Sequence, residues 1–385
     1  MTDRNVSIVA VCDKAGRTRF VDLGRAFASR VPHYVPQLRS EQLELVDPRK
    51  NPFFDHAEVQ LFIATSDGED VGRISAHIDH LALQMPAVQG FGPGTGLFGY
   101  FDAADEAVAR ALLQTAEAWL RERGMTRALG PISLSVWEEP GLLVQGQDHA
   151  PTVMMGHHPA HYRAWIEGAG YSPVKSLVTY ELDIKQEFPP LIRRIVQSGE
   201  RNGRIAIREA GRLDYDGDVR IILEILNDAW SDNWGFIPFT DREIAHAAKK
   251  LKPLVQPELV RIAELDGRPV AFMLTFPDMN EALAAINGRL FPLGWVRLLR
   301  WLKHPRARTM RVPLMGVVKE HQNTRLASQL AFMMIEFIRR AAVTKFGAER
   351  GEIGWILDDN QGMIAIANAI ESRINREYVI FAKPL

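Results

Sequence analysis

The chain has 385 residues, 46% of them hydrophobic and 24% charged, with 46 Lys and Arg against 47 Asp and Glu. That length exceeds what one core normally sustains, so two domains are expected, and the near-neutral balance excludes a global electrostatic drive toward nucleic acid. One cysteine, Cys12, excludes an internal disulfide and a cysteine-based zinc site and fits a reducing compartment. The opening residues carry no basic leader, and their apolar run is too short for a signal-peptide core or a membrane span. Cytoplasmic residence is expected, with peripheral attachment to the inner membrane left open.

In the first half, residues 59–79 read as two strands joined by the Asp67-Gly68 turn, 97–103 as a third strand, and 105–124 as a helix closed by Gly124. A strand at 127–133, a helix at 159–170 and a strand at 175–184 follow. Gly94, Gly96 and Gly99 satisfy the spacing GxGxxG, but a dinucleotide fingerprint follows a strand and opens a helix, whereas these glycines precede and enter a strand. A loop or lid is the better reading. Residues 133–162 gather Glu138, Glu139, Asp148, His157, His158 and Tyr162 on loops, where polar residues point to binding. Glu139, His157 and Tyr162 are read as substrate-binding. His157, His158 and His161 straddle a helix start at Pro159, with no HExxH and no helping cysteine, so no metal is expected.

A polar, proline-containing joint at 184–190 separates the halves, giving expected domains 1–185 and 186–385. The second half repeats the pattern: a hairpin at 259–276 again turns on Asp-Gly, and Trp230, Asn233 and Trp234 occupy a loop between its first two helices. Residues 287–308 form an insertion. On a helical wheel Trp295, Leu298, Leu299, Trp301 and Leu302 lie opposite Arg297, Arg300, Lys303 and His304. Such a helix either lies in a membrane interface, with tryptophans at headgroup depth and cations on anionic lipid, or covers the domain core with a solvated basic face.

The last stretch is the most specific. An apolar strand at 309–318 breaks at 319–329, a helical period runs over 330–347, a second strand at 351–357 ends in Asp358-Asp359-Asn360, and a short helix at 364–370 leads to a closing strand at 376–385. A turn feeding a helix N-terminus is where backbone N–H groups grip a pyrophosphate. This order resembles the coenzyme A half of a GCN5-related N-acyltransferase (GNAT) domain. In that superfamily the turn carries Gln or Arg, two free positions, Gly, one free position, then Gly or Ala; Gln322, Arg325 and Ala327 stand there. Arg325 departs from the pattern. Gly normally lets the backbone approach phosphate; with Arg, the loop opens differently or the guanidinium itself meets phosphate as a bidentate donor.

With the segments around Asn51, 72–79, 133–162 and 227–239, nearly the whole chain resembles one bacterial family of tandem GNAT-like proteins that includes the bacterial ceramide synthases. The resemblance implies an α/β fold of two tandem GNAT-like domains, each a mixed, mostly antiparallel sheet flanked by helices, with acyl-CoA in the second and no cofactor in the first. It implies acyl-CoA as a co-substrate, no permanently bound cofactor and no nucleic-acid partner. The implied activity is transfer of a long-chain acyl group to the amine of a sphingoid base, by direct attack on the thioester. The alternatives are transfer to a polar amine and a non-catalytic binding protein. A base must take the ammonium proton: Glu352, on the strand bordering the cleft, is the first candidate and Glu320, before the phosphate loop, the second. Backbone N–H groups of Val317 and Val318 are expected to hold pantetheine and stabilise the oxyanion. Asn360 matches an Asn that contacts the cofactor, or it caps the following helix. Trp230, Asn233 and Trp234 are assigned to the acceptor groove. Trp295 and Trp301 are assigned to a membrane surface. No GxSxG elbow or HxxxxD spacing offers a different acyl-transfer chemistry.

Overall fold

The computed structural model describes residues 6–212 and 214–385; the leader reading falls in part on residues 1–5, outside the described residues. The fold is mixed α/β, as expected. The chain divides into two compact units. One takes the chain to Ser176, with Leu283–Leu290 and Arg376–Leu385; the other takes Leu177–Ala282 and Phe291–Asn375.

The first unit runs β1 (Val6–Val11), α1 (Lys14–Ala28), α2 (Arg39–Leu45), β2 (Ala57–Ser66), β3 (Glu69–Asp79), β4 (Thr95–Ala103), α3 (Glu106–Glu122), β5 (Arg127–Gly130), short β6 (Ile132–Ser133) and β7 (Glu139–Pro140), β8 (Leu142–Gln145) and α4 (Tyr162–Gly168). Strands β1 to β4 are antiparallel neighbours. The β2–β3 turn places Asp67 at φ 53° and Gly68 at φ 82°, the left-handed pair that a tight hairpin needs. Apolar residues of α3 at helical spacing, Val108, Leu112, Ala116 and Leu120 among them, pack on the sheet with Ile74, Phe98 and Phe101. The glycines of the GxGxxG spacing have packing reasons. A Cβ at Gly96 would run into Leu120, and one at Gly99 into the Ile132 carbonyl.

The second unit runs from the latter part of β9 (Ser172–Asp183) through α5 (Pro190–Glu200), β10 (Ile205–Glu209), α6 (Tyr215–Trp230), α7 (Asp241–Leu251), β11 (Val260–Leu265), β12 (Arg268–Pro277), the start of α8 (Met279–Ala285, which passes to the first unit from Leu283), α9 (Gly294–Lys303), β13 (Thr309–Val317), α10 (Arg325–Ala341), β14 (Arg350–Leu357) and α11 (Gln361–Ala369). Its strands lie in the order β9-β14-β13-β12-β11-β10, antiparallel except for the parallel pair β13–β14. Met310, Val312, Met315 and Ile353 face a core shared with α5 and α10. Helix α6 packs against β12 and β13.

The closing strand β15 (Arg373–Pro384) joins the second unit only through Asn375; from Arg376 it completes the first, antiparallel to β5 with Phe381 opposite Gly130. Arg376, fully buried, donates to the carbonyls of Gly146, His149 and Ala150 there.

Candidate active site

Strands β13 and β14 pair only from Thr309↔Arg350 to Val312↔Ile353. Beyond that, β13 stays with β12 as far as Val317↔Ala271, while β14 stays with β9 as far as Leu357↔Leu177. The two strands therefore part into a wedge. Pro313, directly after the last pair, has no N–H with which to extend the ladder.

The loop after β13 closes one side of the wedge. Gln322 donates its amide to the carbonyls of Val317 (2.9 Å) and Ala229 (3.1 Å), stapling the loop between β13 and the end of α6. The Lys319 N–H donates to the Asp228 carboxylate at 2.6 Å. The Val318 N–H is committed to the Val270 carbonyl at 2.9 Å, so neither this donor nor the Gln322 amide points outward. Thr324 caps α10 by accepting the Ala327 N–H at 3.2 Å. Arg325, the first residue of α10, is exposed beside this turn. Asn360 caps α11 by accepting the Met363 N–H at 3.1 Å. Trp230, the last residue of α6, donates its indole N–H to the Met315 carbonyl at 3.1 Å, and the Asn233 N–H returns to the Trp230 carbonyl. The turn from Gln322 to Ala327, expected to meet the cofactor, and the Trp230–Trp234 loop are thereby gathered around the end of β13.

Glu352 sits one residue before the wedge opens and is 3% exposed. Its neighbour Ile353 points into the core under α10, so the carboxylate points to the opposite face. In register with it on β13 is Arg311, which is fully buried and whose guanidinium lies 5.9 Å from the Trp355 ring. On the other side, on β9, stands Glu181, which pairs with Arg373 at 2.7 Å. Adjacent carboxylates repel. Here a cation flanks each end of the row, giving Arg311, Glu352, Glu181 and Arg373 across neighbouring strands. Asn375 donates to Glu352 Oε2 at 2.7 Å and accepts from the Thr179 hydroxyl at 2.6 Å. Glu320, by contrast, is exposed on a short turn.

The loop residues of the first unit make a different set. Tyr162 is 1% exposed, and its hydroxyl accepts the Ala103 N–H, which places it in the core rather than on a ligand surface. His157 Nε2 donates to the Pro32 carbonyl at 2.7 Å, and burial pushes its pKa down to about 4. His158 accepts the Leu143 N–H at Nδ1 and meets Glu139 through Nε2 at 3.0 Å. Desolvation pushes the Glu139 carboxyl up, but His158, Arg73 and Ser133 outweigh it and hold the group below the usual carboxylate range. Among the described residues no group of three or more His, Cys, Asp and Glu is placed to hold a metal ion.

This unit has its own parallel pair, β4–β5, which ends at Leu97↔Leu129. The gap beyond is filled by the chain itself: the Ile132 carbonyl lies against Gly99, and the Ser133 hydroxyl accepts the Tyr100 N–H at 3.1 Å.

The helix of the insertion, α9, differs from its wheel. Phe291, Leu293, Trp295, Val296 and Leu299 are exposed, whereas Trp301 is partly buried and donates to the Arg306 carbonyl at 3.0 Å. Among the described residues no helix is long and apolar enough to cross a membrane.

Sequence reasoning missed Arg311, Asn375 and Thr179. A lone arginine inside the apolar strand 309–318 was a visible signal for the first, since a buried cation needs an anion. Nothing local marks the other two.

The chain is 40% identical over 385 residues, covering all of it and 99% of the relative, to "Bacterial ceramide synthase" of Caulobacter vibrioides (strain NA1000 / CB15N). It is 37% identical over 356 residues to "Protein YghO" of Escherichia coli (strain K12), covering 92% of this chain and 89% of that one. Among solved structures it is similar to a tandem GNAT protein from the clavulanic acid biosynthesis pathway, with TM-score 0.57 and 12% identity over 99% of this chain and 98% of that one. A GCN5-related N-acetyltransferase from Sphaerobacter thermophilus gives TM-score 0.52 and 14% identity over 98% and 95%. No family profile matches. Identity of this degree along the full length, on a tandem GNAT fold, means that the chain belongs to the bacterial ceramide synthase family and is an N-acyltransferase.

Proposed function

We propose that the enzyme moves a long-chain fatty acyl group from acyl-CoA to the primary amine of a sphingoid base, 3-oxosphinganine or sphinganine, giving a ceramide-type lipid. The observation that carries this reading is the full-length identity of 40% to a protein named for that product. The acyl-CoA belongs to the second unit, with pantetheine in the β13–β14 wedge and the phosphates at the turn before α10, where Arg325 supplies charge in place of the close backbone approach a glycine would allow. The first unit takes no cofactor because residues 130–133 fill its corresponding gap.

The amine lone pair attacks the thioester carbon, the C–N bond forms, the C–S bond breaks, and the CoA thiolate leaves. Glu352 takes the proton that the ammonium must lose; its position at the apex of the wedge supports this, and the exposed Glu320 is the second candidate. The Trp230–Trp234 loop borders the acceptor. The exposed apolar residues of α9, with Arg297, Arg300 and Lys303 beside them, rest on an anionic membrane surface from which the lipid amine is drawn.

The test is incubation of the purified protein with palmitoyl-CoA and 3-oxosphinganine in detergent, with free CoA and the lipid product both quantified, beside acetyl-CoA and polar amines. An N-acyl lipid formed in equal amount to CoA supports the reading; turnover confined to polar amines overturns it.

A further inference from the structure

Helices α6 and α7 and the sheet beneath them line a half-open pocket of about 90 Å³ in the second unit. Its wall is apolar, built from Ile222 and Leu223 on α6, Ile244 and Leu251 on α7, and Leu274 and Leu314 on the strands. Two polar side chains border it, and both are engaged elsewhere. Tyr215 donates to the Ala248 carbonyl at 2.7 Å, and the Asp218 carboxylate accepts the Gly211 N–H at 2.7 Å and pairs with Arg208. Such a wall offers water few partners and suits an apolar occupant.

Its position connects it to the chemistry. Leu314 is register partner to Leu274 and lies two residues beyond Val312, where β13 parts from β14. Phe276, opposite Arg311, lies two residues beyond Leu274 on β12, whereas Met273 and Met315, adjacent in sequence to Leu274 and Leu314, turn to the other face, into the core under α10. The cavity therefore lies on the sheet face toward which Glu352 points. Every residue of its cover α7 is at least partly exposed, and the helix is held at its start by the reciprocal cap between Thr240 and Glu243 and near its end by the Tyr215 bond to the Ala248 carbonyl. A space smaller than the ~150 Å³ that accepts benzene holds the end of a chain.

We propose that this cavity receives the alkyl tail of the acyl donor, so that α6 and α7 set the chain length the enzyme accepts. The inference rests on the acyl-transfer reading. A linear alkyl chain belongs to the donor and to the lipid acceptor alike, and the donor is assigned because the cavity adjoins β13 at the wedge.

The experiment is equilibrium binding to the full chain of CoA and of acyl-CoAs with eight, twelve and sixteen carbons, and separately of sphinganine analogues of graded length. Ala247→Phe fills the cavity from an exposed helix, and Ile244→Ala enlarges it. Each buried methylene is worth about fourfold in affinity. In the wild type, affinity is expected to climb with acyl length. Ala247→Phe is expected to weaken the sixteen-carbon donor at least tenfold with CoA binding unchanged, and Ile244→Ala to shift the optimum to longer donors. Length profiles for the donor that neither variant moves would sink the assignment. A change confined to the sphinganine series would give the cavity to the acceptor. Absence of any CoA or acyl-CoA binding to the wild type would remove the acyl-transfer reading itself, and this inference with it.

Discussion

Asn375 donates its side-chain amide to Glu352 across 2.7 Å, and the buried Thr179 hydroxyl fixes which end of the amide faces the carboxylate by donating to its oxygen at 2.6 Å. One oxygen of Glu352 is thus occupied by a neutral donor that cannot remove its charge.

Replacing Glu352 with Gln keeps the shape and removes the proposed base. The expected loss in kcat is about 100- to 10,000-fold, with the melting temperature recorded alongside because buried Arg311 loses the carboxylate in register with it. Asn375→Ala should lower kcat less, leave KM for acyl-CoA unchanged and shift the pH–rate profile, which a merely structural residue would not do. Glu320→Gln, on the exposed turn, should have the smallest effect; a larger loss there than at Glu352 would reverse the assignment.

Stability should fall with acidification before ordinary carboxylates titrate. Burial pushes His77 down to about 4 against the pull of Asp79, and pushes His157 to about 4 despite its bond to Pro32. Above the ordinary value of 6.5 both rings are neutral folded or unfolded, so they add no pH dependence. Between there and about 4, the unfolded chain binds protons the folded chain refuses, and stability drops by up to about 1.4 kcal/mol per pH unit for the fully buried His77 and by less for His157, which solvent partly screens. Urea unfolding from pH 7 to pH 4.5 should show the slope, and His157→Gln should flatten it.

Vesicle binding should depend on α9. Trp295→Ser with Leu299→Ser removes two exposed apolar side chains and should cost at least tenfold in affinity for anionic vesicles. Arg297→Gln with Arg300→Gln should remove about 1 kcal/mol per charge, an effect that salt abolishes. Wild-type binding that ignores both pairs would place the lipid contact elsewhere.

One acyl-CoA should bind per chain, because only the second unit leaves its strand wedge open beyond the parallel pair. Calorimetry reads the stoichiometry directly. Arg325→Ala should raise KM for acyl-CoA about tenfold, as expected for loss of a charged hydrogen bond, with kcat nearly constant. A stoichiometry of two would overturn the reading of the first unit.

Much of the fold was legible because it is encoded locally. Both Asp-Gly hairpins, the α3 stripe and the strand, turn and helix order after residue 309 follow from turn chemistry and period alone. The site was less legible because its relationships are long-range. Pairing Arg311 with Glu352 needs the register of two parallel strands, and the Thr179–Asn375 contact spans 196 positions. Tyr162 and Tyr378 show the converse failure: a tyrosine on a loop-rich segment and one in an apolar strand read differently in sequence, yet both are buried with their hydroxyls bonded to backbone. On α9 the wheel assigned both tryptophans to one face, but the bond from Trp301 to the Arg306 carbonyl turns it inward.

The division of β15 at Asn375 and Arg376 bears on synthesis. Domains usually fold in the order in which they leave the ribosome. Here the first unit lacks the strand opposite β5, and the anchor for the carbonyls of Gly146, His149 and Ala150, until some two hundred further residues have been made. Its sheet waits, incomplete at β5, while nearly the whole second unit emerges. Neither half is then a natural cloning unit, and a nascent chain arrested before Arg376 exposes an unpaired strand edge of the kind that chaperones bind.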